Sequence, residues 1–224
     1  MSGDDAEPTR SPKGWIIAGV AVVVLGVAAW LVWPRTPPDH VLIVGDSVSF
    51  MSLPDAVKAF DGTSVEGITR PGYRTTDLLP LVKTAIDDRQ QSGKELDQAI
   101  FLVGYNDVWR SNPRVQDLET LVAQSARYRC AIWLTLPARP GGKPPATTDF
   151  DPAGADTFNQ RLAKLVGEHR QLHLVKDWAE AVDAAPADRY LIGDGIHPNQ
   201  QGMKLLAQIM HDRLAEECPV GPIR

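Results

Sequence analysis

His40-Val41-Leu42-Ile43-Val44-Gly45-Asp46-Ser47 is the stretch on which the reading of this chain turns. Its apolar run from Val41 to Val44 does not alternate with polar residues, so it suits an interior strand covered on both faces. Gly45 breaks the run, and Asp46 and Ser47 are residue types that open helices. A serine there emerges where strand turns into helix, and the helix N-terminus stabilises negative charge beside it. That placement suits a nucleophile, but a plain helix cap has the same composition, so the stretch needs partners elsewhere in the chain.

Working outward, four more apolar runs follow: Val65 to Ile68, Ala99 to Val103, Ala131 to Leu136 and Leu172 to Val175. Helical periodicity separates them. Thr75 or Thr76 caps a helix carrying Leu78, Leu79, Val82 and Ile86, and Asn112-Pro113 opens one with Val115, Leu118, Leu121 and Val122. Phe158, Leu162, Leu165, Val166 and His169 form a third stripe; Met203, Leu206, Ala207, Met210 and Leu214 form the last, with Pro198 at its start. A shorter helix is expected over residues 54–60. Strand and helix in alternation mean an α/β sandwich on a parallel sheet with right-handed crossovers. Residues 138–154, rich in Pro and Gly, read as a long loop after the fourth strand.

Sites in such sheets form beyond the carboxyl ends of the strands, and three further segments stand at such places. Asp194 and His197 are three residues apart, so a tight turn aims carboxylate and imidazole at each other. The Asp then holds Nδ1–H and leaves Nε2 to take a serine proton. Gly72, in Arg70-Pro71-Gly72-Tyr73, offers a backbone N–H freed by a turn, and Asn106, in Gly104-Tyr105-Asn106-Asp107, offers a side-chain NH₂. Together with Ser47 these supply a nucleophile, an acid–base pair and oxyanion donors, which is what acyl transfer through a serine requires. Ser49 and Ser52 lie nearby without the strand-end glycine.

The four segments resemble the four blocks of the SGNH branch of the GDSL lipase and esterase family, over His40 to about Cys218. The resemblance implies a flavodoxin-like three-layer α/β/α sandwich with a five-stranded parallel sheet. It further implies a Ser47-His197-Asp194 triad and an oxyanion hole from the Ser47 and Gly72 N–H groups and the Asn106 side chain. Family members often carry Gly-Thr-Asn-Asp where this chain has Gly104-Tyr105-Asn106-Asp107, a change that keeps Asn106. The same blocks occur in members that transfer acyl groups instead of hydrolysing them.

The chain begins with a polar tail, residues 1–14, expected to be disordered. Residues 15–33 follow as an uncharged run of about 19 residues, roughly 28 Å as a helix, which spans a bilayer. Trp15, Trp30 and Trp33 stand at its ends, where amphipathic rings favour the headgroup level. Arg10 and Lys13 precede the run and Arg35 follows it, a bias that keeps the amino terminus inside. The run is long for a signal-peptide core and no small-x-small site follows, so it reads as an uncleaved single-pass anchor with the catalytic domain outside the cytoplasm. Residues 34–39 form a Pro-rich tether of about 20 Å. The soluble domain is expected over 40–218 and a short tail over 219–224. A net charge of −5 offers no basic patch for nucleic acid.

No metal and no nucleotide cofactor are expected: His-Glu-x-x-His, a phosphate-loop lysine motif and Gly-x-Gly-x-x-Gly are missing. Tyr73, Trp109 and Phe50, each beside a catalytic segment, are candidate substrate contacts, by stacking on a sugar or lining an acyl pocket. An extracytoplasmic domain of this kind would meet acyl esters of envelope glycans, glycolipids or lipids, and the missing lipase-type lid favours short acyl groups. Cys130 starts the fourth strand and Cys218 ends a helix that returns to the same edge of the sheet. A bridge and two free thiols both remain open, since a shared edge does not ensure the Cα separation a bridge needs.

Overall fold

The computed structural model describes residues 40–109, 115–145, 147 and 149–219. The proposed tail, anchor and tether at 1–39, the Asn112-Pro113 helix start and residues 220–224 lie outside the described residues. Among the described residues, no helix is long and apolar enough to cross a membrane.

The run around Ile43 forms β1 (His40–Gly45), buried along its whole length. It leads into α1 (Ser47–Ala59), then β2 (Ser64–Thr69), α2 (Thr75–Gln91) and β3 (Gln98–Leu102). A short α3 (Tyr105–Val108) precedes α4 (Val115–Ser125), β4 (Cys130–Leu134), α5 (Pro152–Gly167) and β5 (Leu172–Val175). Two short helices, α6 (Asp177–Ala184) and α7 (Ala187–Tyr190), come before the final α8 (Gln200–Glu217).

The five strands are parallel in the order β2-β1-β3-β4-β5. α1 packs against α8 on one face, and α2, α4 and α5 lie side by side on the other, which makes three layers. This is the flavodoxin-like order, whose connections diverge between β1 and β3 and open a crevice at the strands' carboxyl ends. Phe101 on β3 stacks on Trp133 of β4 at 4.5 Å in the core between them. The Trp133 indole N–H, buried there, donates to Ser125 Oγ at 2.9 Å, so its polar edge is satisfied.

Several boundaries differ from the sequence expectation, each for a physical reason. β2 and β5 are edge strands, partly open to solvent rather than covered on both faces. α1 begins at Ser47 and carries Pro54 inside it; burial of Val48, Ser49, Ser52 and Ala56 outweighs the missing proline N–H. Neither Thr75 nor Thr76 caps α2: Arg74 holds that position and the Thr75 hydroxyl is engaged elsewhere. Asn199 caps α8 by accepting from Gln201 and Gly202 N–H at 2.9 and 3.0 Å, so neither His197 nor Pro198 is helical. The loop after β4 stops at Asp151, which caps α5, while His169 lies beyond that helix.

Cys130 and Cys218 form a disulfide, with Cα atoms 5.6 Å apart. The antiparallel return of α8 brings its end to the amino edge of β4. The bridge therefore lies at the opposite edge of the sheet from the Gly45-Asp46-Ser47 turn. His173 packs beside the two sulfurs, a proximity in space that sequence spacing does not reveal; its Nδ1 faces Glu217 at 3.1 Å.

Candidate active site

Ser47, Asp194 and His197 meet at the carboxyl edge of the sheet. The Ser47 hydroxyl lies 2.8 Å from His197 Nε2, and His197 Nδ1 lies 2.7 Å from Asp194 Oδ2. Asp194 Oδ1 accepts from the N–H groups of Ile196 and His197 at 2.8 and 3.0 Å. Burial pushes the Asp194 carboxyl up, but the His197 ring and these two amides outweigh it and hold its pKa below the ordinary value. An ionised carboxylate only accepts, so Nδ1 carries the imidazole proton and Nε2 accepts from Ser47. The chain closes this turn on itself: Ile192 N–H donates to His197 O at 2.9 Å, and Leu191 bridges Pro198.

The other two segments approach from β2 and β3. Gly72 takes φ +78° in a turn closed by Tyr73 N–H to Arg70 O, and its own N–H has no partner among the described residues. A side chain there would be strained, which is why glycine occupies the position. Asn106 donates one amide hydrogen to Tyr73 O at 3.0 Å, which leaves the second available. Gly104, at φ +116°, turns the chain out of β3 beneath the Phe158 ring, where a Cβ would come within 2.5 Å of ring carbon.

Two buried aspartates brace these segments, and sequence reading saw Asp46 only as a residue type that opens helices and missed Asp107. Asp107 Oδ2 accepts from Thr75 N–H at 3.0 Å and Thr75 Oγ1 at 2.9 Å, clasping the Asn106 segment to the start of α2. Asp46 caps α1 through Val48 N–H at 3.1 Å, and its Oδ2 is buried without a partner. Burial pushes the Asp46 pKa up to about 7, with the Val48 amide opposing and Asp107 adding to the rise. Gly-Asp-Ser hinted at a cap for Asp46; nothing in the sequence pairs Asp107 with a residue 32 positions away.

Of the candidate substrate contacts, Phe50 and Tyr73 are exposed and flank the serine and the Gly72 turn. Trp109 is partly buried: it packs on the core, and its backbone bridges Phe150. Ser49 and Ser52 are buried, with hydroxyls donating to Leu102 O at 3.3 Å and Val48 O at 3.0 Å. They are not available as nucleophiles.

Comparison with solved structures agrees with this architecture. A lipase/acylhydrolase from Enterococcus faecalis superposes with a TM-score of 0.63 at 16% identity, covering 82% of this chain and 99% of its own. A psychrotrophic esterase from Pseudoalteromonas gives 0.57 at 16%, covering 80% and 97%. The C-terminal catalytic domain of a peptidoglycan O-acetyltransferase from Streptococcus pneumoniae gives 0.58 at 14%, covering 81% and 93%. No curated protein matches the sequence. The model of the GDSL-like lipase/acylhydrolase family matches residues 43–205, so the chain belongs to that family of ester-hydrolysing enzymes.

Proposed function

We propose that the chain is a membrane-anchored serine esterase, acting outside the cytoplasm on short acyl groups through an acyl-Ser47 intermediate. The observation that carries the reading is the continuous hydrogen-bonded chain from Ser47 Oγ through His197 to Asp194, at 2.8 and 2.7 Å. Ser47 Oγ attacks the ester carbonyl while His197 Nε2 takes its proton. The oxyanion accepts hydrogen bonds from the Ser47 and Gly72 N–H groups and the second Asn106 amide hydrogen. His197 then returns the proton to the departing alkoxide. Water, deprotonated by the same imidazole, attacks the acyl-serine and releases the acid and the free serine.

The location rests on residues 15–33, with Trp at both ends and the tether after them.

Transfer of the acyl group to a sugar hydroxyl would use the same intermediate. The experiment incubates the soluble domain, residues 40–218, with p-nitrophenyl acetate, with and without sugar acceptors. Acid release that acceptors do not divert supports the esterase; acylated sugar outpacing acid at modest acceptor concentration replaces it with a transferase.

A further inference from the structure

We propose that a trough beside the His197 turn is an oligosaccharide subsite for the alcohol half of the scissile ester; the assignment rests on the esterase reading above. Ile192 and Gly195, on the loop that carries Asp194 and His197, wall a cleft of about 440 Å³. Pro140, Lys143, Pro145 and Pro186 form its other sides. Past Pro186 and Asp188, which border both, lies a second cleft of about 540 Å³ lined by Arg189, Gln200 and Gln201. Both volumes fall in the range of about 300–1,000 Å³ of ligand pockets.

The position decides which half of the ester enters. His197 must protonate the departing alkoxide, so the alcohol lies on the His197 side of the serine. The chemistry decides what kind of alcohol. An acyl chain needs an apolar dead end, whereas this trough joins a cleft with apolar walls to one lined by polar side chains. Proline rings and Ile192 supply flat apolar faces, and then a carboxylate, a guanidinium and two amides supply donors and acceptors. A pyranose has this pattern, an apolar ring face rimmed by hydroxyls. The side chains of Lys143, Asp188, Gln200 and Gln201 have no protein partner among the described residues, so they are free for a ligand. The wall is preset: Asp183 accepts from Ala138 and Arg139 N–H at 3.3 and 2.8 Å, and Arg139 pairs with Asp156 at 2.8 Å.

The test compares acetate release from O-acetylated N-acetylglucosamine and from its O-acetylated tetramer, with p-nitrophenyl acetate and octanoate reporting on the acyl side. Gly193→Trp places a bulky ring at the trough, at a position where a Cβ meets nothing within 4 Å; Asp188→Ala/Gln201→Ala strips polar groups from the second cleft. In the wild type, kcat/KM rises about tenfold or more from monomer to tetramer, and each variant removes most of that gain. Equal kcat/KM for monomer and tetramer in the wild type overturns the proposal. So does a gain that survives both variants, or an altered acetate-to-octanoate preference with the gain intact. A wild-type domain inert toward p-nitrophenyl acetate instead removes the esterase reading itself, and the subsite falls with it.

Discussion

Asp46 stands directly before the nucleophile with no solvent exposure and one oxygen without a partner. Its pKa is 3.8 in an unstructured chain and about 7 here. Between those values the folded state keeps a proton that the unfolded state has lost, so this residue's contribution to stability falls as pH rises and levels off above about 7. Asp46→Asn stays neutral throughout. Its stability relative to wild type, from urea denaturation, should therefore increase by about 3 kcal/mol between pH 5 and pH 8; parallel pH curves for the two proteins would refute the buried proton. At the site itself, Asn106→Ala should lower kcat by about 10²–10³ with little change in the denaturation midpoint, because in the proposed mechanism its second amide hydrogen bonds the oxyanion and not the ground state. Asp194→Asn removes the acceptor that fixes the imidazole tautomer, and kcat should fall by about 10³–10⁴ in a folded protein. Stopped-flow turnover of p-nitrophenyl acetate measures both. The meeting of Ser47, His197 and Asp194 was legible in the sequence, as was the placing of Gly72 and Asn106 in turns after β2 and β3, because each stands at a strand end or a turn with a distinctive neighbour. How the Trp109 ring packs on the core was not legible, because adjacency to Asn106 in the chain says nothing of which way a ring points.

At the scale of elements, the proposed oxyanion donors come from three separate strand–helix turns, so in this account catalysis depends on how those turns are held together. The Asp107 carboxylate and Thr75 form that clasp between α3 and α2. Thr75→Val keeps the shape and the N–H bond but removes the hydroxyl donor, costing about 1 kcal/mol of stability. Asp107→Ala removes the acceptor for both bonds and should lower kcat about tenfold or more, less than direct loss of Asn106, with KM nearly constant. A kcat unchanged in a folded Asp107→Ala protein would show that the turns hold their register without it. Apolar runs and stripes predicted the strands and the long helices, since burial on the sheet sets both. They failed where local polar chemistry decides: Asp46 and Asn199 cap α1 and α8 at starts that periodicity placed elsewhere. The short helices α3, α6 and α7 carry too few turns for a periodic signal.

For the whole molecule, parallel topology sorts function and stability to opposite edges of the sheet. The triad occupies the carboxyl edge, and the Cys130–Cys218 bridge pins α8 at the amino edge, across a sequence separation of 88. Closing a loop of that length contributes about 4.6 kcal/mol in the chain-entropy account. Cys130→Ser/Cys218→Ser should lose about that much in urea denaturation, while the folded fraction keeps its kcat; a large fall in kcat would contradict the separation of the two edges. The central claim, that Ser47 is the nucleophile, is tested most directly by treating the protein with a fluorophosphonate and locating the adduct by peptide mass spectrometry. The account predicts one adduct per chain, on Ser47, and none in His197→Ala over the same time; an adduct on Ser49 or Ser52, or no adduct on the folded wild-type protein, contradicts it.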